Sequence, residues 1–268
     1  MENKYLNLKN EFLNHIDDGI CIAFSGGVDS SLLLKVASDV SKEKNRDIYA
    51  VTFSTKLHPM SDITISKKLA NSMDVIHEII TIDEFQNKDI LNNPIDRCYQ
   101  CKKYLFTRLL QFAKSKGLKY IVDGTNADDL KEYRPGLMAL SELGIISPLA
   151  KFNITKKEVR KIATTLNLSV ASRPSSPCLA TRLPYNTKIT LEVLQNIEKA
   201  EDYLNSIGFK IVRVRVHKDI ARIEIPMEDF NRFLQNKDNI ITYFKKLGFI
   251  YVTLDLEGFR SGSMDIHK

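Results

Sequence analysis

Two features of the sequence could do chemistry: a glycine-rich turn and a set of cysteines. Ser25-Gly26-Gly27-Val28-Asp29-Ser30 has glycines that let backbone N–H groups approach a ligand and serines that add hydroxyl donors. A helix starting there directs its positive end at the turn, so the site suits phosphate. It is not a Walker loop, because no G-x-x-x-x-G-K-[ST] occurs. Of the four cysteines, Cys98 and Cys101 form a C-x-x-C. Cys178 ends the segment Ser172-Arg173-Pro174-Ser175-Ser176-Pro177-Cys178, which reads as an ordered functional loop. These thiols allow three readings. A redox pair at Cys98 and Cys101 is one, although the lead-in Asn93-Pro94-Ile95-Asp96-Arg97 is not strand-like. A zinc site is the second, but His15, His58, His77, His217 and His267 offer no ligand-type spacing. The third is an iron–sulfur cluster on three thiolates, with one iron left to bind a small anion such as hydrosulfide. Cys21 lies in an apolar run and reads as a small core residue.

Regular elements must hold these groups. Residues 20–24 read as a buried strand running into the turn, and Leu33, Val36, Ala37 and Val40 as the apolar face of the helix after it. An amphipathic helix is expected before them, over 5–16. Further strands are expected at 48–53, 75–81 and 119–123, and helices at 61–71, 105–116 and 156–166. This alternation predicts an α/β fold with a doubly wound, mostly parallel sheet. Ligands of such sheets bind beyond the carboxyl ends of the strands, where 25–30, Ser54-Thr55 and Asp123-Gly124-Thr125-Asn126 fall. After Pro184 the pattern changes to helices at 191–207, 227–234 and 238–247, with strands at 210–216, 222–225 and 249–254. The expectation is a first domain over 1–185 and a smaller C-terminal α/β domain over 186–268.

With 268 residues, 43% hydrophobic and 27% charged, the chain reads as globular and soluble, and no apolar run is long enough for a membrane span. The first residues lack a signal-peptide apolar region, which makes a cytoplasmic location the expectation. There, structural disulfides are not expected. A net charge of +6 and a pI near 9.0 suit anionic ligands such as nucleotides. No RNA-stacking aromatic signature occurs, so no nucleic-acid partner is expected.

The pattern S-G-G-x-D-S resembles the pyrophosphate-binding PP-loop of the ATP pyrophosphatases, whose fold is adenine nucleotide alpha hydrolase-like. More closely, the chain resembles the LarE family of ATP-dependent sulfur transferases, which build the nickel-pincer nucleotide cofactor. The matching segments are Ser25-Gly26-Gly27-Val28-Asp29-Ser30, Arg97-Cys98-Tyr99-Gln100-Cys101-Lys102, Asp123-Gly124-Thr125-Asn126-Ala127-Asp128-Asp129, Tyr133-Arg134-Pro135-Gly136, Pro177-Cys178-Leu179-Ala180-Thr181-Arg182 and Arg213-Val214-Arg215. The resemblance implies pyridinium-3,5-biscarboxylic acid mononucleotide as substrate, adenylated at each carboxylate by ATP with Mg2+, after which sulfur displaces AMP. Ser25, Gly26, Gly27, Asp29, Ser30, Ser54, Gly124 and Thr125 would bind the nucleotide. Asp29 would help to hold Mg2+, or else only cap its helix.

Cys98, Cys101 and Cys178 would act in catalysis and hold a [4Fe-4S] cluster with one iron not coordinated by protein. Family members with only the loop cysteine give up its sulfur once. Arg213 and Arg215 alternate on one strand, so they share a face and could grip phosphate or carboxylate by bidentate bonds. Arg182 could steer the anionic substrate to the sulfur. Glu224, Arg260 and Glu201 are carried by family position. Asp128 and Asp129 read equally as metal contacts or helix caps, and Arg134 as a loop brace or a phosphate contact. The implied partners are a sulfide source and further copies of the chain, hexameric in the family. The alternatives are a PP-loop tRNA thiolase, a single-turnover transferase with Cys178 as the sacrificial donor, an amidating PP-loop ligase, and a nucleotide-binding regulatory module.

Overall fold

Over residues 20–165, runs of apolar residues with β-branched members form the strands, and each is followed by a helical segment. The computed structural model describes residues 2–132 and 134–265; Met1, Tyr133 and His267 lie outside the described residues. In chain order the elements are α1 (Glu2–His15), β1 (Ile20–Ala23), α2 (Val28–Lys44), β2 (Ile48–Ser54), α3 (Met60–Met73), β3 (Ile76–Thr81), α4 (Lys88–Leu91), α5 (Arg97–Ser115) and β4 (Tyr120–Val122). There follow α6 (Gly136–Glu142), α7 (Pro148–Lys151), α8 (Lys156–Thr165), α9 (Leu191–Ser206), β5 (Arg213–His217), β6 (Ile220–Glu224), α10 (Phe230–Gln235), α11 (Lys237–Lys246) and β7 (Tyr251–Leu254). Among the described residues no helix is long and apolar enough to cross a membrane.

The chain divides into two compact units. The first comprises Met1–Thr55, Met60–Glu84 and Asp96–Ser176, and the second Lys56–Pro59, Phe85–Ile95 and Pro177–Lys268. The sequence pattern suggests a single crossing near 185; the second unit instead starts at Pro177 and takes two earlier excursions. Backbone bonds draw those excursions in: Leu179 N–H donates to Leu57 O at 2.7 Å, Asn186 N–H to Asn93 O at 2.8 Å and Ile189 N–H to Leu91 O at 2.8 Å.

In the first unit the strands run parallel in the order β3-β2-β1-β4. Helices cover both faces, giving the α/β doubly wound sheet. Ile20 and Ile22 of β1 pack with α1, α2, α3 and α8 through Phe12, Leu33, Val36, Ala70 and Ile162. Cys21, on the other face, packs with Leu105, Phe106 and Leu109 of α5 and Leu140 of α6. The order reverses beside β1, between β2 and β4, so the crevice at the carboxyl ends of β1 and β4 is the place for a ligand. The second unit has a three-stranded sheet, β5-β6-β7, antiparallel between β5 and β6 and parallel between β6 and β7.

Candidate active site

The turn after β1 occupies that crevice. Gly26 has φ +69°, and a Cβ there would stand 3.2 Å from Ser66 N, so glycine is required both for conformation and for space. Gly27 is the N-cap of α2 and makes no side-chain bond to the helix. Loop hydroxyls hold the turn: Ser25 N–H donates to Ser30 Oγ at 3.2 Å, Gly27 N–H to Ser25 Oγ at 3.3 Å and Ser30 Oγ to Gly27 O at 3.2 Å. The segment after β4 packs directly on this turn, since a Cβ on Gly124 would lie 3.1 Å from Ser30 N. Ser54 ends β2 at the same sheet edge, and its carbonyl accepts from Ile82 N–H at 2.9 Å.

Asp29 does not cap α2. Its Oδ1 accepts from Asn126 Nδ2 at 3.2 Å, and its Oδ2 is bonded to Lys156 Nζ. Asn126 also orders its own turn, accepting from Asp128 N–H at 2.9 Å and Asp129 N–H at 3.3 Å. Asp128 Oδ2 takes the Lys156 N–H at 2.8 Å, closing a donor at the start of α8. Burial raises the Asp129 carboxyl above its ordinary range, with the Asp29 charge adding to that, against the opposing Asn126 N–H and Arg134. Arg134 braces this loop, pairing with Asp129 at 2.9 Å and Glu132 at 2.9 Å. Thr125 is buried, and its hydroxyl donates to Asp123 Oδ2 at 2.6 Å.

The C-x-x-C opens α5, which begins at Arg97, eight residues before the apolar periodicity that the sequence offers at 105. Cys98 and Cys101, three apart on the helix, are neighbours on its surface, and both are half-buried. Cys98 Sγ accepts from Nη2 of the buried Arg97 at 3.5 Å. Lys102 extends to Asp123 Oδ2 at 3.4 Å, tying this helix to the segment after β4. Gly136 lets α6 sit on the start of α5: a Cβ there would come within 3.0 Å of Lys102 Cδ and 3.3 Å of Cys98 O.

Burial pushes the Cys21 thiol up to about 12. Iodoacetamide at about pH 8 is therefore expected to leave Cys21 unmodified in the native chain while alkylating the half-buried cysteines. Mass spectrometry reads this, and equal labelling of Cys21 would mean that β1 is not held in the core.

In the second unit Cys178 precedes a short 3-10 turn, Leu179–Arg182. Arg182 is 2% exposed and does not face solvent. It forms a fork with Glu201, Nε to Oε1 at 2.9 Å and Nη2 to Oε2 at 2.8 Å, while Nη1 donates to Pro177 O and Cys178 O. Arg182 thus holds the backbone of Cys178. Glu224 is fully buried and accepts from Arg215 at 2.8 Å and Arg222 at 3.2 Å. Arg222 and Arg260 both reach Asp255 at 3.2 Å. Arg213 lies on the same strand face as Arg215 and over the Phe259 ring. Burial, and next the Arg182 charge, lower the Arg213 guanidinium to about 10. The buried Nε–H groups of Arg215, Arg222 and Arg260 find no hydrogen-bond partner among the described residues. Lys156, Arg222 and Asp255 were not singled out by sequence; Lys156 meets Asp29 from 127 positions away, and Arg222 meets Asp255 across the second unit's sheet.

A phosphate-binding turn at the switch point of a parallel sheet is the arrangement of ATP-using PP-loop enzymes, and the chain falls in that class. The family model described as a PP-loop domain matches residues 1–168. The chain is 41% identical over 267 residues to an uncharacterized protein of Synechocystis sp., covering 99% of this chain and 98% of that one. It is 39% identical over 246 residues to pyridinium-3,5-bisthiocarboxylic acid mononucleotide synthase of Lactiplantibacillus plantarum, covering 92% and 88%. A tRNA-specific 2-thiouridylase MnmA of Rickettsia bellii is 25% identical over 233 residues, covering 72% and 62%. The chain belongs to the LarE family, and it is an ATP-using enzyme of the sulfurtransferase and ligase kind.

Proposed function

We propose that the chain converts the carboxylates of pyridinium-3,5-biscarboxylic acid mononucleotide to thiocarboxylates, with one ATP consumed for each. One meeting of elements within the first unit carries this proposal. Lys102, next to Cys101, reaches Asp123, and Asn126 of the same strand-end segment holds Asp29, so a thiol-bearing helix adjoins the phosphate turn. Attack of a substrate carboxylate oxygen on the α-phosphorus of ATP expels pyrophosphate. Attack of sulfide on the acyl carbon then expels AMP and leaves a carbon–sulfur bond. Ser25, Gly26, Gly27 and Ser30 stabilise the departing pyrophosphate through N–H and hydroxyl groups, and Ser54, Gly124 and Thr125 shape the nucleotide's place. Asp29 would help to hold the Mg2+ that arrives with ATP, which would neutralise phosphate charge. In the second unit Arg213, Arg215 and Arg260, with Glu224 orienting Arg215, suit the phosphate and carboxylates of the substrate; the orphaned guanidinium N–H groups support this. The name of the Lactiplantibacillus relative supports the choice of substrate.

Cys98, Cys101 and Cys178 would hold three irons of a [4Fe-4S] cluster, which when bound supplies the sulfide for repeated turnover. Among the described residues no group of three His, Cys, Asp or Glu side chains gathers as a metal site. The fit lies in the donors: two half-buried thiols one turn apart on α5, and a third thiol on the braced turn of the second unit. An anaerobic assay with ATP, substrate and sulfide is expected to give one AMP and one pyrophosphate per thiocarboxylate over many turnovers. Cys98→Ala, Cys101→Ala and Cys178→Ala should each lose iron. ADP as product would overturn the adenylation. A single turnover leaving Cys178 as dehydroalanine would replace the cluster by a sacrificial thiol. Tight, steeply salt-dependent tRNA binding would favour a tRNA thiolase, a reading that the MnmA similarity supports.

A further inference from the structure

Residues 171–176 leave α8 and pass over the phosphate turn, all within the first unit. Arg160 of α8 holds this strap by its backbone, Nη1 donating to Ala171 O at 2.6 Å and Nη2 to Arg173 O at 2.9 Å. The side chain of Arg173 turns inward. Its Nη1 donates to Gly26 O at 3.2 Å, and its Nη2 to Asp62 Oδ1 of α3 at 2.5 Å. Ser176 Oγ donates to the other oxygen of Asp62 at 3.3 Å. The Arg173 and Asp62 side chains are only 20% and 14% exposed, so solvent screens this pair little.

We infer that Arg173 is a positioning residue for the phosphates of ATP, acting through the Gly26–Gly27 peptide, with Asp62 as the residue that aims it. A peptide unit is planar and trans, so the Gly26 carbonyl and the Gly27 N–H point in opposite directions. That unit lies between two glycines, so no side chain of its own restricts its rotation. Rotated, it would present a carbonyl where the phosphates need a donor. A guanidinium held on the Gly26 carbonyl opposes the rotation and keeps the Gly27 N–H turned the other way, where it meets Ser25 Oγ at 3.3 Å and where a phosphate oxygen would take it over. The fork geometry matters, because one group must reach the carbonyl and the carboxylate together. The sequence places Asp62 only within the helix expected at 61–71 and Arg173 only in a loop.

The inference depends on 25–30 being the phosphate cradle of ATP. Titration calorimetry of the full chain with inorganic pyrophosphate, and separately with AMP, tests both. Arg173→Gln is expected to weaken pyrophosphate about ten-fold, the effect of losing one charge-assisted hydrogen bond, and to leave AMP nearly unchanged. Asp62→Asn should act in the same direction, and Arg173→Lys should fall between, since an ammonium cannot hold both partners. If Arg173→Gln does not fold, the other two variants give the same reading. Pyrophosphate binding equal to wild type, or equal losses for pyrophosphate and AMP, would overturn the inference while leaving the cradle intact. A wild-type chain that binds no pyrophosphate would overturn the cradle and the inference with it.

Discussion

Glu201→Ala is expected to destabilise the protein by about 3–5 kcal/mol, the cost of leaving a buried charge without its partner. Arg182 is 2% exposed and Glu201 8% exposed, so water cannot replace the lost carboxylate. The same carboxylate also accepts the Val214 N–H at 2.9 Å, which would be orphaned on β5. Arg213 stands close enough for Arg182 to lower its guanidinium and for Glu201 to oppose that, so the substitution also leaves two cations facing each other. Urea denaturation reads the loss. The paired replacement Arg182→Met with Glu201→Leu should cost much less than Glu201→Ala alone, because removing both charges leaves none uncompensated. A loss below about 1 kcal/mol for Glu201→Ala would mean that the pair behaves as a surface ion pair. The local consequence is chemical: Arg182 donates to Cys178 O at 3.2 Å, so Cys178 should become more reactive to iodoacetamide in Glu201→Ala.

Local pattern was enough for the parallel sheet of the first unit. The apolar run 20–24, two glycines and an apolar helix face could only be strand, turn and helix, and the parallel sheet follows from repeating that unit. The start of α5 was hidden because 97–103 is polar apart from its cysteines and Tyr99; Cys101 packs against the core, but Lys102 reaches Asp123 and Tyr99 and Lys103 reach Glu142, so no apolar period shows before Tyr104 and Leu105. The short helices α6 and α7 carry too few residues to show a period. The excursions at 56–59 and 85–95 join the second unit through main-chain bonds, which leave no mark on side-chain pattern. At the site, glycines and cysteines were legible because few other residues can replace them. Lys156 and Arg173 were not, and Arg182 was read as a substrate contact instead of a buried brace, because the sequence holds 39 lysines and arginines and burial depends on distant partners. Arg182 pairs 19 positions away, Lys156 127 and Arg173 111. A buried arginine and a solvated one read alike until the partner is placed.

The same limit applied to Asp29, whose two roles diverge sharply in what its loss would do. Were it only a helix cap, Asp29→Asn would cost stability, at most about 1 kcal/mol at a first turn, and leave turnover alone. In the structure its oxygens turn away from the helix to Asn126 and Lys156, beside the switch point. A carboxylate already bonded to a lysine ammonium can meet a metal cation there, and ATP brings that cation with it. Asp29→Asn keeps the shape and the Asn126 neighbour but removes the charge. It is expected to lower substrate-dependent pyrophosphate release roughly a hundred- to a thousand-fold, the scale of losing one preorganised stabiliser of a phosphoryl-type transition state. The melting temperature should change little, and the Mg2+ needed for half-maximal rate should rise. Pyrophosphate release near the wild-type rate, with unchanged Mg2+ dependence, would remove Asp29 from the chemistry and return it to holding the Asn126 turn.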